Sequence, residues 1–137
     1  MAKRLIKLLG EPIQNEDDKA AEAITPGHLV TWNGSGDLIK HNSAGGFTVP
    51  AFAMEREEAG DDIDTAYAIG DTVKVGVYYT GTRVNALVAS GVSVSKGTYL
   101  ESAGDGTLRA FSAGTRLGRA LEALTATALH RLRVEIV

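Results

Sequence analysis

The feature that most constrains this chain is its glycine content, 16 glycines against only three prolines in 137 residues. The glycines punctuate short segments in which apolar and polar residues alternate, at the ~8–12-residue spacing typical of small all-β domains. Glycine accepts the backbone conformations of tight turns, and a two-residue alternation is the period of a half-buried strand. The sequence therefore predicts a mainly β domain, folded as a small barrel or a sandwich.

The clearest predicted strand begins after Gly70-Asp71, where Val73, Val75 and Val77 fall on one face. We expect residues 83–89 to pair back on this strand across a turn at Thr80-Gly81. Pro50 lies inside another apolar segment and predicts an edge strand or a divided one. Further strands are predicted at residues 28–32, 38–41, 47–54, 92–94, 98–101 and 107–111 and in the last six residues.

Helix is predicted in two short places and left open in a third. Residues 16–23 are rich in Glu, Asp and Ala and predict two helical turns capped by Asn15, and residues 60–67 predict a single turn. Residues 116–124 carry leucines at helical spacing, but Gly118 and Thr125 disfavour a helix. From the residues alone, helix and strand are equally open there.

The first 21 residues are predicted to form an arm, followed by one β-rich domain over residues 22–137. Lys7 interrupts the apolar start and an acidic stretch follows, so the segment does not predict a signal peptide, and we expect synthesis in the cytoplasm. No apolar run approaches the ~20 residues of a membrane span, so no membrane partner is expected. Two interpretations stay open: a frayed terminus, or an arm that lies on another subunit by strand addition.

Composition and motifs argue against catalysis and nucleic-acid binding. The chain has no cysteine, which excludes disulfides, a thiol nucleophile and Cys-ligated metal. Its 14 Lys and Arg against 17 Asp and Glu give a net charge of -3. This charge disfavours binding to the phosphates of nucleic acids. It contains no phosphate loop, nucleophile elbow or zinc-helix motif. We expect no enzymatic activity, no cofactor and no direct nucleic-acid partner.

Two groups of side chains are candidates for a metal site. His28 and His41 can face each other across the predicted hairpin at residues 32–38, where a polar cross-strand pair is the commoner arrangement. The acidic residues between Glu55 and Asp64 lack the order of a calcium-binding loop, so they predict a solvated loop, with weak cation binding as the alternative. We expect no metal site in either place.

Four segments, in this order and spacing, resemble the head decoration (cement) proteins of tailed bacteriophages. They are AITPGHLV at residues 23–30, AYAIGDTV at 66–73, VSKGTYLESAGDGTL at 94–108 and LGRALEA at 117–123. The resemblance runs from about residue 22 to the C-terminus. It implies a small β-barrel or β-tulip domain with one or two short helical turns, an extended N-terminal arm and no catalytic site. It also implies that residues 117–124 form a strand.

The resemblance further implies homotrimers on the outer surface of an expanded phage head, where they bind the major capsid protein and stabilise the shell against packaged DNA. The expected location is the virion surface. Repeated weak contacts over a shell add up by avidity. Candidate interface residues are the basic and apolar residues of the arm and the large apolar residues expected at turns and edges, namely Lys3, Arg4, Leu5, Ile6, Leu8, Leu9, Trp32, Phe47, Phe52, Tyr78 and Tyr99.

Two alternatives remain from the sequence. One is another virion or carbohydrate-binding β-module of a tail or host-binding structure, although a single Trp and few aromatic residues supply little for a sugar-stacking groove. The other is a carrier barrel that presents a modified lysine. Lys96 lies in a predicted turn, but its neighbours Ser95 and Gly97 do not match the Met-flanked lysine of biotin carriers.

Overall fold

A computed structural model describes residues 5–10, 14–56 and 62–137 of the chain. Within those ranges the protein is built from thirteen strands and contains no helix. The strands are β1 (Lys7–Leu9), β2 (Gln14–Lys19), β3 (Val30–Trp32), β4 (Leu38–Lys40), β5 (Ala51–Ala53), β6 (Thr72–Val77), β7 (Arg83–Val88), β8 (Ser93–Val94), β9 (Tyr99–Ser102), β10 (Leu108–Ala110), β11 (Gly118–Ala120), β12 (Leu124–Thr125) and β13 (His130–Ile136).

Five strands close into a barrel in the order β7-β10-β9-β11-β13, and β13 returns to β7. β13 pairs with β7 in antiparallel register from His130 opposite Val88 to Glu135 opposite Arg83. The other edge of β7 is shared, because β1 pairs near Val84 and β10 makes a single parallel pairing of Leu108 with Val88. The barrel, a mainly β fold predicted from the sequence, therefore closes through one strand that serves three partners.

The barrel interior follows from the strand period of two. On β13, Leu132, Val134 and Ile136 are buried in the main core, while Arg131 and Arg133 alternate with them on the outer face. Val84, Ala86 and Val88 of β7 enter the same core. An alternation of apolar and charged residues is the pattern of a sheet with one face against a core and one against water. This part of the prediction is confirmed.

Strands β2 to β6 form a second structure beside the barrel, here called the sheet region. β6 lies between β2 and β5 in an antiparallel three-stranded sheet, and β3 and β4 form a hairpin. The turn of that hairpin is closed by Asn33, whose Oδ1 accepts the backbone N–H groups of Ser35 and Asp37. A second, smaller core lies here and consists of Ala20, Ile24, Val30, Leu38, Ala51, Ala53, Tyr67, Val73 and Val75.

β5 joins the two cores because both of its faces are buried. Ala51 and Ala53 face the core of the sheet region, and Phe52 between them enters the barrel core. Leu29, just before β3, and Val30, the first residue of β3, divide between the two cores in the same way. Successive side chains of a strand point to opposite faces, so one extended segment can supply two cores.

Three local expectations are wrong. Residues 16–23 do not form helical turns, because β2 pairs with β6 over six residues and this tertiary pairing outweighs local helix propensity. The helical turn predicted in residues 60–67 does not form in its described part, residues 62–67. There Asp62 Oδ1 accepts the N–H of Asp64 in a non-helical turn. Gly60 and Asp61 lie outside the described residues. β7 does not pair back on β6, since both edges of β6 are already occupied.

Within residues 117–124 the strand implied by the resemblance is confirmed at Gly118–Ala120, which form β11, and Leu124 begins β12. β11 pairs with β13, with Gly118 opposite Ile136 and Ala120 opposite Val134. A Cβ atom at Gly118 would lie 2.3 Å from Val134 Cγ1, so this crossing accommodates only glycine without movement. The helical spacing of the leucines is therefore incidental to their strand and turn positions.

The described part of the predicted arm pairs within its own chain. β1 lies on β7 and β2 lies on β6, both antiparallel. Strand addition by residues 7–9 and 14–19 therefore occurs within the protein's own sheets. A contact between this segment and another subunit stays a prediction.

Candidate interaction surface

The N-terminal candidates separate into an anchor and an exposed row. Ile6 is fully buried in the barrel core, its N–H donates to Glu55 Oε2 at 3.1 Å, and its carbonyl accepts from Asn85 N at 2.8 Å. Leu5, Leu8 and Leu9 remain exposed beside it. Lys3 and Arg4 lie outside the described residues. The expectation that Ile6 is a surface residue is wrong, because it packs inside its own barrel.

Phe52 and Tyr78 are also core residues. Both are almost completely inaccessible, and their rings meet edge to face with centroids 6.2 Å apart. β5 is an edge strand of its sheet, as Pro50 predicted, but the barrel covers one face of that strand and the sheet region covers the other. The expectation of surface exposure is wrong for both residues.

Trp32 is half-buried and has a defined partner within the chain. Its indole N–H donates to Asp18 Oδ2 at 2.6 Å, which ties the β3–β4 hairpin to β2. An indole N–H bonded to a carboxylate is a charge-assisted hydrogen bond, stronger than a neutral one. Trp32 therefore positions the hairpin, and only part of its ring is available to a partner.

Phe47 and Tyr99 are exposed as predicted, and Phe47 is the most exposed large apolar residue described, at 79%. Tyr99 belongs to an arrangement that the sequence did not reveal. The Arg116 guanidinium lies 4.6 Å from the centroid of the Tyr99 ring and 4.8 Å from that of Phe111. We call Tyr99, Phe111 and Arg116 the aromatic–arginine cluster.

The loop that carries Arg116 is held firmly. Glu101, only 1% exposed, accepts the N–H of Gly114 at 2.7 Å and pairs with Arg109 Nε at 3.1 Å. Thr115 N–H donates to the carbonyl of Gly45 at 2.9 Å, so the loop that bears Phe47 adjoins the cluster. These bonds fix the cluster on one side of the barrel before any partner arrives.

Phe111 and Arg116 were not predicted as interface residues, because nothing in their spacing along the sequence places them against Tyr99. The pairing of β9 with both β10 and β11 brings them together. Other exposed apolar residues were also missed, and they are Val49, Ile69, Tyr79, Leu129 and Val137.

The two histidines are buried and separately bonded. His28 Nδ1 accepts the N–H of Thr25 at 3.0 Å, and His41 Nδ1 lies 2.6 Å from Ser102 Oγ. Burial, with a smaller contribution from Lys40, lowers the pKa of His28 to about 4. Burial also lowers the pKa of His41. Both rings are therefore neutral at neutral pH.

Of the acidic residues between Glu55 and Asp64 that the structure describes, Asp62 and Asp64 are exposed, as predicted for a solvated loop, and Glu55 is not. Glu55 is buried under β1, and Asp62 organises the turn that follows. Glu57, Glu58 and Asp61 lie outside the described residues. In the part of the chain that is described, no three His, Asp or Glu side chains converge on a position for a metal ion.

An open cleft of about 510 Å³ lies where the loop around Ile63 meets β7 and β13. Its charged wall is Arg131, whose guanidinium donates to the carbonyls of Pro26 and Ile63 and pairs with Asp64. Because these contacts occupy the guanidinium, Arg131 fastens the loop to the barrel. Among the residues described around the cleft, no nucleophile is paired with a base.

In residues 5–10, 14–56 and 62–137, no helix has the length and apolar character needed to cross a bilayer.

Comparison with known proteins finds a likeness among solved structures. No protein-family model matches the chain, and no curated protein matches it. Among solved structures, the N base of head fiber gp8.5 in bacteriophage phi29 matches with a TM-score of 0.60 and 16% sequence identity. The match covers 90% of this chain and 93% of that one. The two proteins share a fold.

Proposed function

We propose that this protein is a non-enzymatic structural component of a phage head and binds the outer surface of the expanded shell. The observation that carries the proposal is the fold shared with the head fiber base over 90% of the chain. That protein is part of a head fiber of bacteriophage phi29. The ordered motifs that resemble head decoration proteins support the same assignment independently of the fold.

Within this proposal the partner is the major capsid protein, and the protein binds as trimers that stabilise the head against internal DNA pressure. Exposed Leu8 and Leu9 on β1, Leu5 just before it and Phe47 on its loop supply apolar surface for such contacts. Apolar surface of this kind marks interaction sites when it is clustered. Ile6, Phe52 and Tyr78 are excluded from the contact because they are buried.

Co-sedimentation tests this proposal. Purified protein is mixed with undecorated expanded heads and, in parallel, with unexpanded heads, and bound protein is measured against concentration. We expect saturable binding to expanded heads only, near three copies per three-fold site. A shell-attachment defect is expected in a Leu8→Ser and Leu9→Ser variant that still folds. Absence of binding to either head form would contradict the proposal.

A second candidate is the base of a head-attached fiber. The observation that favours it is that the match covers 93% of the phi29 fiber base. Electron microscopy of virions labelled with an antibody against this protein separates the two, because a fiber base lies at the foot of a projecting fiber.

A further inference from the structure

The turn of the β3–β4 hairpin begins with the dipeptide Asn33-Gly34, and Asn33 is the only asparagine of the chain that precedes a glycine. An asparagine side chain can be attacked at its amide carbon by the backbone nitrogen of the next residue. Glycine presents the least hindered nitrogen for this attack, because it has no Cβ atom. Asparagine is for this reason counted among the thermolabile residues of proteins.

We propose that Asn33-Gly34 is a site of spontaneous deamidation in the folded protein. The Gly34 nitrogen bonds to Cγ of Asn33, and the bond from Cγ to Nδ2 breaks. The Gly34 N–H proton passes through solvent to the departing nitrogen, so that ammonia leaves and a five-membered succinimide remains. Water then opens this ring at either of its two carbonyls, which gives aspartate or isoaspartate at position 33.

The backbone of the hairpin already holds the carbonyl that would react. Ser35 N donates to Asn33 Oδ1 at 2.9 Å, and Asp37 N donates to the same oxygen at 3.0 Å. Negative charge develops on this oxygen when a nucleophile adds to Cγ. Donors that are fixed beforehand at a developing oxyanion lower the barrier to its formation. The turn of the hairpin therefore stabilises the charged intermediate of the first step.

The attacking nitrogen and the leaving group are both free to react. Among the described residues, Gly34 N and Asn33 Nδ2 take part in no hydrogen bond. Gly34 is exposed, and a Cβ atom built on it would meet no atom within 4 Å. Neither a hydrogen bond nor a neighbouring group therefore has to move before Gly34 N approaches Cγ, and water reaches the succinimide directly.

The other three asparagines lack this combination of features. Asn85 is fully buried in β7, and Asn15 is paired within β2. Asn42 is exposed, but it precedes Ser43, whose Cβ atom hinders the attacking nitrogen. In the part of the chain that is described, the Asn42 side chain also has no N–H donor on its oxygen. Asn42 therefore provides an internal standard for an exposed asparagine in the same molecule.

The two products differ in what they do to the hairpin. Aspartate keeps the side-chain oxygens that accept from Ser35 and Asp37, and adds one negative charge. Isoaspartate carries the main chain through Cγ, and the former Asn33 carbonyl, which accepts the N–H of Gly36 at 3.0 Å, becomes part of a carboxylate side group. We therefore expect the isoaspartate form to loosen the turn, and the aspartate form to retain it.

Peptide mass spectrometry of the folded full-length chain, sampled during storage at mildly alkaline pH, tests the site. We expect Asn33 to convert at least several-fold faster than Asn42, and part of the product to accept a methyl group from isoaspartyl methyltransferase. Conversion of Asn33 no faster than that of Asn42, or no conversion at all, would overturn the proposal. These measurements need no phage head, so their outcome is independent of the proposed function.

Gly34→Ala tests the identity of the nucleophile. The added methyl group should slow conversion of Asn33 several-fold, and it should leave the fold intact because it meets no atom within 4 Å. Ser35→Ala changes an exposed side chain of the same turn and keeps both reacting residues and the Ser35 N–H, so it serves as the matched control. This control should convert like wild type. Equal slowing in both variants, or unchanged conversion in Gly34→Ala, would exclude attack by the Gly34 nitrogen.

Discussion

The strands of the barrel and those of the sheet region differ in how many hydrogen-bonded neighbours they have. Each of the five barrel strands has two neighbours because the sheet closes on itself, whereas β2 and β5 are flanked by only one named strand each. The barrel core also takes Leu29 and Phe52 from the sheet region, while the core of the sheet region contains no residue beyond β6. The barrel thus forms the stable body of the molecule, and the sheet region is held by the side chains it inserts there.

The largest effect is expected where the two regions interlock. Phe52→Ala removes a fully buried ring from the barrel core and its edge-to-face contact with Tyr78, and should lower the free energy of unfolding by about 3–5 kcal/mol. Urea denaturation measures it. Phe47→Ala, which removes an equal ring from an exposed position, should change stability by less than about 0.5 kcal/mol. Similar losses in both variants would show that the regions do not interlock here.

Acid should weaken the same junction. The pKa of His28 is about 4 in the folded protein and near 6.5 when unfolded, so the unfolded state binds more protons between these values. Stability should therefore be constant above about pH 6.5 and fall as pH drops toward 4, by up to about 3 kcal/mol from His28. His41 adds to this fall, since its pKa is also lowered.

The comparison that isolates His28 is the pH dependence of unfolding in His28→Gln. This variant should show a shallower loss of stability between pH 6.5 and 4 than wild type. The lowered pKa values of Asp62, Asp71 and Asp105 act at more acidic pH, below the ordinary range of carboxylates. If stability falls equally steeply with pH in wild type and variant, His28 does not cause the loss of stability in acid.

Barrel closure should be sensitive to a single methyl group. Gly118→Ala places a Cβ 2.3 Å from Val134 Cγ1 across β11 and β13, and should cost about 1–3 kcal/mol of stability. Thermal unfolding measures it. Gly34→Ala, in the hairpin loop of the sheet region, meets no atom within 4 Å and should be nearly neutral. A neutral Gly118→Ala would mean that β11 and β13 approach less closely than described.

The smallest effect should stay within the sheet region. Trp32→Phe removes the hydrogen bond to Asp18 and should cost about 1–1.5 kcal/mol. Native-state amide exchange should show faster exchange in β2 and the hairpin, with β7 and β13 unchanged. A double-mutant cycle with Asp18→Ala assigns the loss to this pair. Uniform acceleration across the barrel would contradict the division into two regions.

The alternation on β13 and the glycine turns predicted a small barrel or sandwich, and the resemblance to decoration proteins favoured the barrel. Pairing partners were not predictable, because β7 could be assigned to β6 by proximity in sequence while its edges are filled by strands distant in the chain. Phe52 was misplaced because alternation reports one buried face, and β5 has two. The surroundings of Arg116 were not predictable either, because its aromatic partners lie on β9 and just after β10.

We propose that this protein lies on the outside of an expanded phage head. Cryo-electron microscopy of expanded heads, with and without added protein, tests it most directly. We expect added density on the outer surface, arranged about three-fold positions, into which the five-stranded barrel fits with Phe52 and Tyr78 inside the density. Unchanged density, or added density confined to the inside of the shell or to the tail, would contradict the account.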